Sequence, residues 1–505
     1  MKQIVIGRTG GQTRIAILEE GKLVELMIES LDQALLGNVY RARVADVVAG
    51  MQAAFVDIGI DQNAYLYIDD ISLEQIGEER KEQANPKPGI RQLVQRGAQL
   101  LVQVSKEGIG SKAPRVTTKI SLPGRTLVYL PHGGQVAVSR RIRDERVKER
   151  LVNMIGALLG DGEGAILRTT AADASEQQIA TELSALRQTW MEALERTKDV
   201  KPPHLVHQAA DVVLRTVRDQ CTVDVDEVVV EDASTYRRIK QDLSAFSPEL
   251  TDRIRLYQGK QPLFQALGID VELDKALRRQ VWLKNGGFIV LDQTEAMTVI
   301  DVNTGKFTGK SAQQLEETVT AANLEAASEI ARQIRLRDIA GIIIIDFIDM
   351  KAEANRARVL EHLQQQLAND RTSTYVCGFT RLGLLEMTRK RVRPSLGEAL
   401  TVTCPVCSGR GRVLSAVELA RRLEEEVSGL AKSQEAEAVV VQLPALLFEH
   451  FLAGEKAEWH RLERELMLKL YLHKTESISP DQYRILYVGS EKEASRWQKE
   501  ESANP

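Results

Sequence analysis

Four cysteines in 505 residues are too few for a disulfide framework, and so sparse a thiol content fits a reducing compartment. No run approaches the ~18 apolar residues of a membrane span. The start, Met1-Lys-Gln-Ile-Val-Ile-Gly-Arg8, lacks the apolar stretch of a secretory signal. These absences predict a soluble, cytoplasmic chain. Aromatic residues make up only 5% of it, against 43% hydrophobic residues overall. Aliphatic side chains must therefore build the cores, and at this length they divide among several domains, since single cores rarely grow past ~250–300 residues. Net charge is nearly absent as well, at −4, so the total gives no hint of a polyanionic partner. Local charge does. Lys106, Lys112, Arg115, Lys119 and Arg125 face a single Glu107 in their stretch, and Arg371, Arg381, Arg389, Lys390, Arg391 and Arg393 face a single Glu386 in theirs. Such clusters can neutralise phosphates even on an acidic protein, but either one taken alone reads first as a solvated helix face.

What is present begins with alternation. Ile4, Ile6 and Arg14-Ile-Ala-Ile-Leu18, a turn at Gly21-Lys22, and Leu23-Val-Glu-Leu-Met-Ile28 read as a hairpin. Strands at Asn38–Val48, Ala53–Ile58, Ala64–Ile68 and Gln99–Val104 follow, about five strands in ~80 residues, which suggests a small closed barrel of the OB type. Strands at Thr126–Leu130, Gln135–Ser139 and Gly164–Thr169 enclose a charged helix containing Arg140, Arg141, Arg143, Arg146 and Lys148. A long helix then runs to Pro202-Pro203. Helices over Val206–Arg218 and Ser234–Phe246, with strands at Glu227–Val230 and Ile254–Tyr257, form an α/β layer suited to completing the N-terminal hairpin. From Gln280 to Gly383 strands alternate with helices, as in an α/β domain. One of these helices carries a capping box at Ser311 and Gln314. After Thr401 come a cysteine pair, helices at Ser415–Lys432 and Ala457–Leu472, and a strand at Ala438–Leu443.

Two strands end in carboxylates a helix apart: Met297-Thr-Val-Ile-Asp301-Val-Asn303 and Gly341-Ile-Ile-Ile-Ile-Asp346. Four consecutive isoleucines predict a strand buried on both faces, and the carboxyl ends of neighbouring strands face one crevice. Two carboxylates there suit one hard divalent cation, magnesium by default, and the attack of water on a phosphodiester. Each aspartate alone is equally a neutralised structural carboxylate. Asn303 either orients Asp301 or simply forms the turn Asn-Thr-Gly, and Asp349 is a supporting group or a cap. Cys404-Pro-Val-Cys407 is half a zinc site; structural zinc takes four ligands, so two subunits each giving a pair would complete it, a redox motif being the rival. Phe55 and Tyr65 on successive strands, with Lys112 in a basic loop, offer base stacking or plain core packing. Arg168-Thr169 near Gly124 and Val128 makes a candidate terminal-phosphate pocket.

These residues resemble the ribonuclease E/G family of endoribonucleases. The similarity runs through Gly50-Met-Gln-Ala-Ala-Phe-Val-Asp-Ile-Gly59, Ile300-Asp-Val-Asn-Thr-Gly305, Asn323-Leu-Glu-Ala-Ala327, Ile345-Asp-Phe-Ile-Asp-Met350, Glu386-Met-Thr-Arg-Lys-Arg391 and the Cys404/Cys407 pair. The short stretch after that pair is more similar to the G branch than to the E branch.

The resemblance implies an RNase H-like layer (1–36 and 204–278) split around an OB-fold RNA-binding barrel (37–119) and a 5′-sensor (120–203). A DNase I-like catalytic domain (279–399), a zinc link (400–414) and a small C-terminal domain (415–505) would follow. It assigns magnesium to Asp301 and Asp346 with Asn303 beside them. Zinc goes to Cys404 and Cys407, shared between subunits of a homodimer, with a tetramer left open. RNA contact falls to Phe55, Tyr65 and Lys112, and 5′-monophosphate sensing to Gly124, Val128, Arg168 and Thr169. The implied activity is cleavage of single-stranded RNA to 5′-phosphate and 3′-hydroxyl ends in ribosomal RNA maturation and messenger RNA decay. A non-catalytic RNA-binding or ribosome-associated factor and a DNA nuclease are the rival readings.

Overall fold

A computed structural model describes the chain except residues 31–34, 73–88, 109–112, 223, 247, 306–311, 435, 454–456 and 503–505. Lys112 and the start of the capping box at Ser311 lie outside the described residues. The chain separates into two compact units, Met1–Ala399 and Leu400–Pro505.

In the first unit, β1 (Lys2–Thr9), β2 (Gln12–Glu19) and β3 (Lys22–Ser30) form successive hairpins. The β2–β3 turn needs left-handed backbone, and Gly21 supplies it at φ +75°. Strands β4 (Val39–Val48), β5 (Ala53–Asp57), β6 (Ala64–Tyr67), β7 (Gln99–Lys106) and β8 (Arg115–Thr117) close into an OB-like five-stranded barrel, because β7 pairs with β4 as well as β8. Small and β-branched side chains fill it, among them Ala42, Val44, Ala54, Val56, Leu66 and Val102.

A four-stranded sheet follows: β9 (Leu122–Pro123), β10 (Leu127–Leu130), β11 (Val136–Val138) and β12 (Gly164–Leu167), packed against helices Glu145–Leu158 and Glu176–Lys198. The first helix begins later than its arginines suggest. Asp144 caps it by accepting from the Arg146 N–H at 2.9 Å, so Arg140, Arg141 and Arg143 precede the helix. The segment expected to be helical from Val206 starts instead with β13 (His204–His207), which pairs with β4. The helix runs Val212–Gln220 behind an Asp211 cap. β14 (Glu227–Val230) pairs in parallel with β1, and β15 (Ile254–Leu256) with β14. The N-terminal hairpins are thereby extended to a five-stranded sheet ordered β15-β14-β1-β2-β3.

The last sheet of this unit holds β16 (Gln280–Trp282), β17 (Phe288–Gln293), β18 (Met297–Asn303), β19 (Gly341–Asp346), β20 (Thr374–Phe379) and β21 (Leu385–Arg389), in the order β16-β17-β18-β19-β21-β20. Only β18 and β19 are parallel, joined by the long helix Ala312–Leu336. Ile289, Ile300, Val302, Ile343, Ile345, Leu385 and Met387 point to one face. There they pack on Val319, Ala326, Ile330 and Ile334 of the long helix and on Val359 and Leu363 of helix Glu353–Leu367. Each such isoleucine contributes about 1.5–3 kcal/mol by leaving water. The expectation that the isoleucine strand is buried on both faces is wrong. Ile342 is 46% exposed and Ile344 half-buried, because among the described residues both covering helices lie on one side, and side chains of period two divide between the faces.

In the second unit, β22 (Ala438–Pro444) lies between β23 (Lys469–Thr475) and β24 (Arg484–Gly489). The helix expected over Ala457–Leu472 stops at Leu466: Met467 takes a left-handed φ of +51° and the alternating residues after it join the sheet as β23.

Candidate active site

Parallel pairing puts Asp301 and Asp346 opposite each other as the final register partners of β18 and β19. Adjacent strands lie ~4.8 Å apart, so the two carboxylates leave neighbouring backbones at the same level. Both are exposed on the helix-free face. Asn303 is two residues on, on that same face, and its Nδ2 donates to Asp301 Oδ2 at 2.7 Å. Past Asn303 the chain must turn hard against the β16–β17 turn. Gly305 does so at φ +61°, where a Cβ would collide with the Gly286 carbonyl oxygen. Burial and the charges of Asp301 and Asp349 push the Asp346 carboxyl above its usual range. No lysine or arginine pairs with Asp301, Asp346 or Asp349 among the described residues. An acidic site lacking a compensating cation fits a bound divalent ion, whose preferred ligands are oxygens. Among the described residues no group of three His, Cys, Asp or Glu gathers as a metal site. Two carboxylates are therefore the protein's offer, and magnesium commonly binds through one or two with water and phosphate oxygens completing its shell.

Behind the site lie groups that local sequence reading missed. Asn323, fully buried on the long helix, donates from Nδ2 to the Ile348 carbonyl at 2.8 Å and accepts the Ile348 N–H on Oδ1 at 3.1 Å. This clamp fixes the segment that leaves β19 between Asp346 and Asp349. Glu316 receives the N–H groups of Lys351 and Ala352 and the Asn355 amide at 3.0–3.3 Å, securing the start of the next helix. The Asn323-Leu-Glu-Ala-Ala327 motif was the available signal; its partner across 25 residues was not.

The candidate phosphate pocket is built around a carboxylate. Arg168 Nη1 donates to the Gly124 carbonyl at 2.7 Å and to Asp219 Oδ1 at 2.6 Å. The Arg168 fork, expected to stand ready for a ligand, is thus partly engaged. Arg218 also grips Asp219, Arg371 donates to the Asp219 carbonyl, and Arg141 Nη2 reaches the Arg371 carbonyl at 3.1 Å. Burial raises the Asp219 carboxyl, but Arg218 and then Arg168 outweigh it and hold it below the usual range. Two guanidinium groups on the carboxylate, a third on the Asp219 backbone carbonyl and a fourth hydrogen-bonded to that third residue bring several positive charges to one carboxylate. Thr169 Oγ1 lies 3.2 Å from Ser139 Oγ at its edge, and Val128 stands on β10 opposite Ile166. Glu182, buried at 5% exposure, accepts from the N–H groups of Arg125 and Thr126 and so shapes the turn at Gly124, where a Cβ would strike its carboxylate.

On the barrel, Phe55 and Tyr65 are register partners, their ring centroids 6.1 Å apart and nearly edge-on. Both are half-buried on the outer side, alternating with the core residues Ala54, Val56, Ala64 and Leu66. The core-packing alternative therefore fails for them. Arg115, beside Tyr65 in register, sits 5.5 Å from the Tyr67 ring centroid. Lys112 lies outside the described residues.

Residues 121–392 match the model of the ribonuclease E/G family. Ribonuclease G of Escherichia coli K12 is 38% identical over 458 residues, covering 90% of this chain and 93% of that protein. Ribonuclease G of Haemophilus influenzae is 37% identical over 484 residues, 95% of this chain and 97% of that protein. The chain belongs to the ribonuclease E/G family. It is an endoribonuclease, a hydrolase. Ribonuclease E of Escherichia coli K12 is 33% identical over 97% of this chain, which spans 46% of that longer relative.

In the second unit of this ribonuclease E/G family member, Cys404 and Cys407 flank a tight turn. Ser408 N–H donates to the Cys404 carbonyl at 2.8 Å and Arg410 N–H to that of Cys407 at 2.9 Å, with left-handed backbone at Ser408 and Gly409. The N–H groups of Cys407 and Val406 point at the Cys404 sulfur and hold its thiol below its usual pKa, which favours the thiolate that metals bind. All four cysteines are free, Cys221 buried and Cys377 exposed. A pair alone gives half of a tetrahedral site.

Proposed function

We propose that this endoribonuclease is magnesium-dependent and cuts single-stranded RNA to 5′-phosphate and 3′-hydroxyl ends at Asp301 and Asp346. The register partnership of those two aspartates carries the reading. They would hold the ion. When bound, it would polarise the phosphoryl group and acidify water. Asn303 fixes the rotation of the Asp301 carboxylate through Oδ2. Asn323 holds the backbone past Asp346, so that neither carboxylate must reorganise as the phosphorane charge develops.

Gly124, Val128, Arg168 and Thr169, with Arg141 and Arg371, would receive a 5′-terminal monophosphate, and Phe55 and Tyr65 with Lys112 would stack and anchor the strand. The proposed domain division is an RNase H-like layer, OB barrel, 5′-sensor, DNase I-like catalytic domain, zinc link and small C-terminal domain, with β13 (His204–His207) joining the barrel sheet. Cys404 and Cys407 would share zinc with a second subunit, giving a homodimer. Ribosomal RNA maturation and messenger RNA decay in the cytoplasm are the processes this chemistry serves. The test is cleavage of labelled single-stranded RNA by Asp301→Asn and Asp346→Asn with magnesium supplied. Each should lose at least about a hundredfold in rate while binding RNA normally, and wild-type rates from either refute the assignment.

A further inference from the structure

Trp282 is 67% exposed although it belongs to the sheet that carries the two aspartates; Trp190, in contrast, is 4% exposed. On the helix-free face Trp282 pairs in register with Phe288, their ring centroids 5.3 Å apart at 60°. Phe288 in turn is the register partner of Asn303, the residue that holds Asp301. A row Trp282–Phe288–Asn303 thus runs across three strands, next to the row containing Val290, Asp301 and Asp346. Strand spacing puts the indole about two strand widths, ~10 Å, from Asn303. That is within reach of a nucleotide near one whose phosphate lies at the carboxylates. Phe288 braces the indole from one side and leaves its other surface to solvent. Exposed Lys284, two residues on, places a cation on the same surface, although Glu325 accepts its backbone N–H there, and a ring with a cation is a combination by which single strands are held.

We propose that Trp282, supported by Phe288, is a stacking platform for an unpaired nucleobase of the RNA strand adjacent to the scissile phosphate. Resting on the assignment of Asp301 and Asp346 to that phosphate, it adds a binding determinant within the catalytic sheet, separate from the barrel aromatics. Indole stacks on any base, so it would secure the strand with little regard to sequence.

The experiment measures binding of fluorescein-labelled single-stranded RNA in metal-free buffer, scanning abasic nucleotides along the strand. Trp282→Ala should weaken binding about tenfold, with Trp282→Phe recovering most of it. One abasic position near the cut should cost the wild type a similar factor and cost Trp282→Ala nothing further. Unchanged affinity for Trp282→Ala overturns the proposal, as does an equal abasic penalty in both proteins. A Trp282→Ala protein that changes sedimentation but binds RNA normally also overturns it, marking the ring as a protein contact. Because binding is read without metal, the outcome is independent of Asp301→Asn. Retained cleavage by that variant together with intact abasic coupling would sink the metal assignment and leave the platform as a strand-binding element.

Discussion

Asp301 and Asp346 stand side by side with no cation paired to them among the described residues, whereas Asp219 is surrounded by Arg168, Arg218 and Arg371. One region concentrates negative charge on two adjacent strands. The other assembles positive charge from segments as far apart as Arg141 and Arg371. Both are incomplete electrostatically and in opposite senses, as suits sites for a cation and for an anion. A third region shows the completed case. Arg389, nearly fully buried, pairs with Asp338 and with Asp370, and Arg393 also reaches Asp338. Part of the basic cluster of 371–393 is therefore internal structure, and of these Arg371 joins the arginines at Asp219.

The contrast predicts how each region breaks. Combining Asp301→Asn with Asp346→Asn should cost little more than either alone, since both carboxylates serve one ion and their losses are not additive; single-turnover cleavage rates of the three variants test it, and multiplied losses would argue for two independent roles. In the completed region, Arg389→Ala strands the buried Asp370 carboxylate and leaves Asp338 to Arg393 alone, and should destabilise the first unit by about 3–5 kcal/mol, read by chemical denaturation. In the pocket, Arg168→Ala should slow cleavage of 5′-monophosphate RNA about tenfold, the weight of about one charge-assisted hydrogen bond, and barely affect 5′-hydroxyl RNA; equal slowing of both would detach Arg168 from phosphate recognition.

The smallest effect concerns pH. The Arg187 guanidinium, opposed by burial and helped by the Tyr129 hydroxyl and the Gly160 N–H, lowers Glu163 to about 2. Its folded value lies below its unfolded one, so its contribution is fully present above an unfolded pKa of about 4.3 and is lost as pH falls toward 2. After screening by nearby solvent this is on the order of 1 kcal/mol, and Glu163→Gln should flatten the acid limb of the stability curve by that amount.

Much of the sheet that carries Asp301 and Asp346 was legible. The strand from Met297 and the isoleucine strand were both readable from their apolar runs. The strands Gln280–Trp282 and Leu385–Arg389 were not, one being three residues long at an edge and the other mixing Glu, Met and Arg into its alternation. Helix starts at Glu145 and Val212 were set by caps at Asp144 and Asp211, which a basic or apolar run conceals.

By itself the sequence determined the two strand-end carboxylates, the cysteine pair and the motifs of the ribonuclease E/G family, because each is written within a few consecutive residues. Only tertiary structure decided that Asp301 and Asp346 are register partners, that Asn323 clamps Ile348 and that Arg168, Arg218 and Arg371 converge on Asp219. It also left one face of the isoleucine strand open. Register and face coverage depend on which distant segments pair and pack, and a strand's own residues specify its period but not its neighbours.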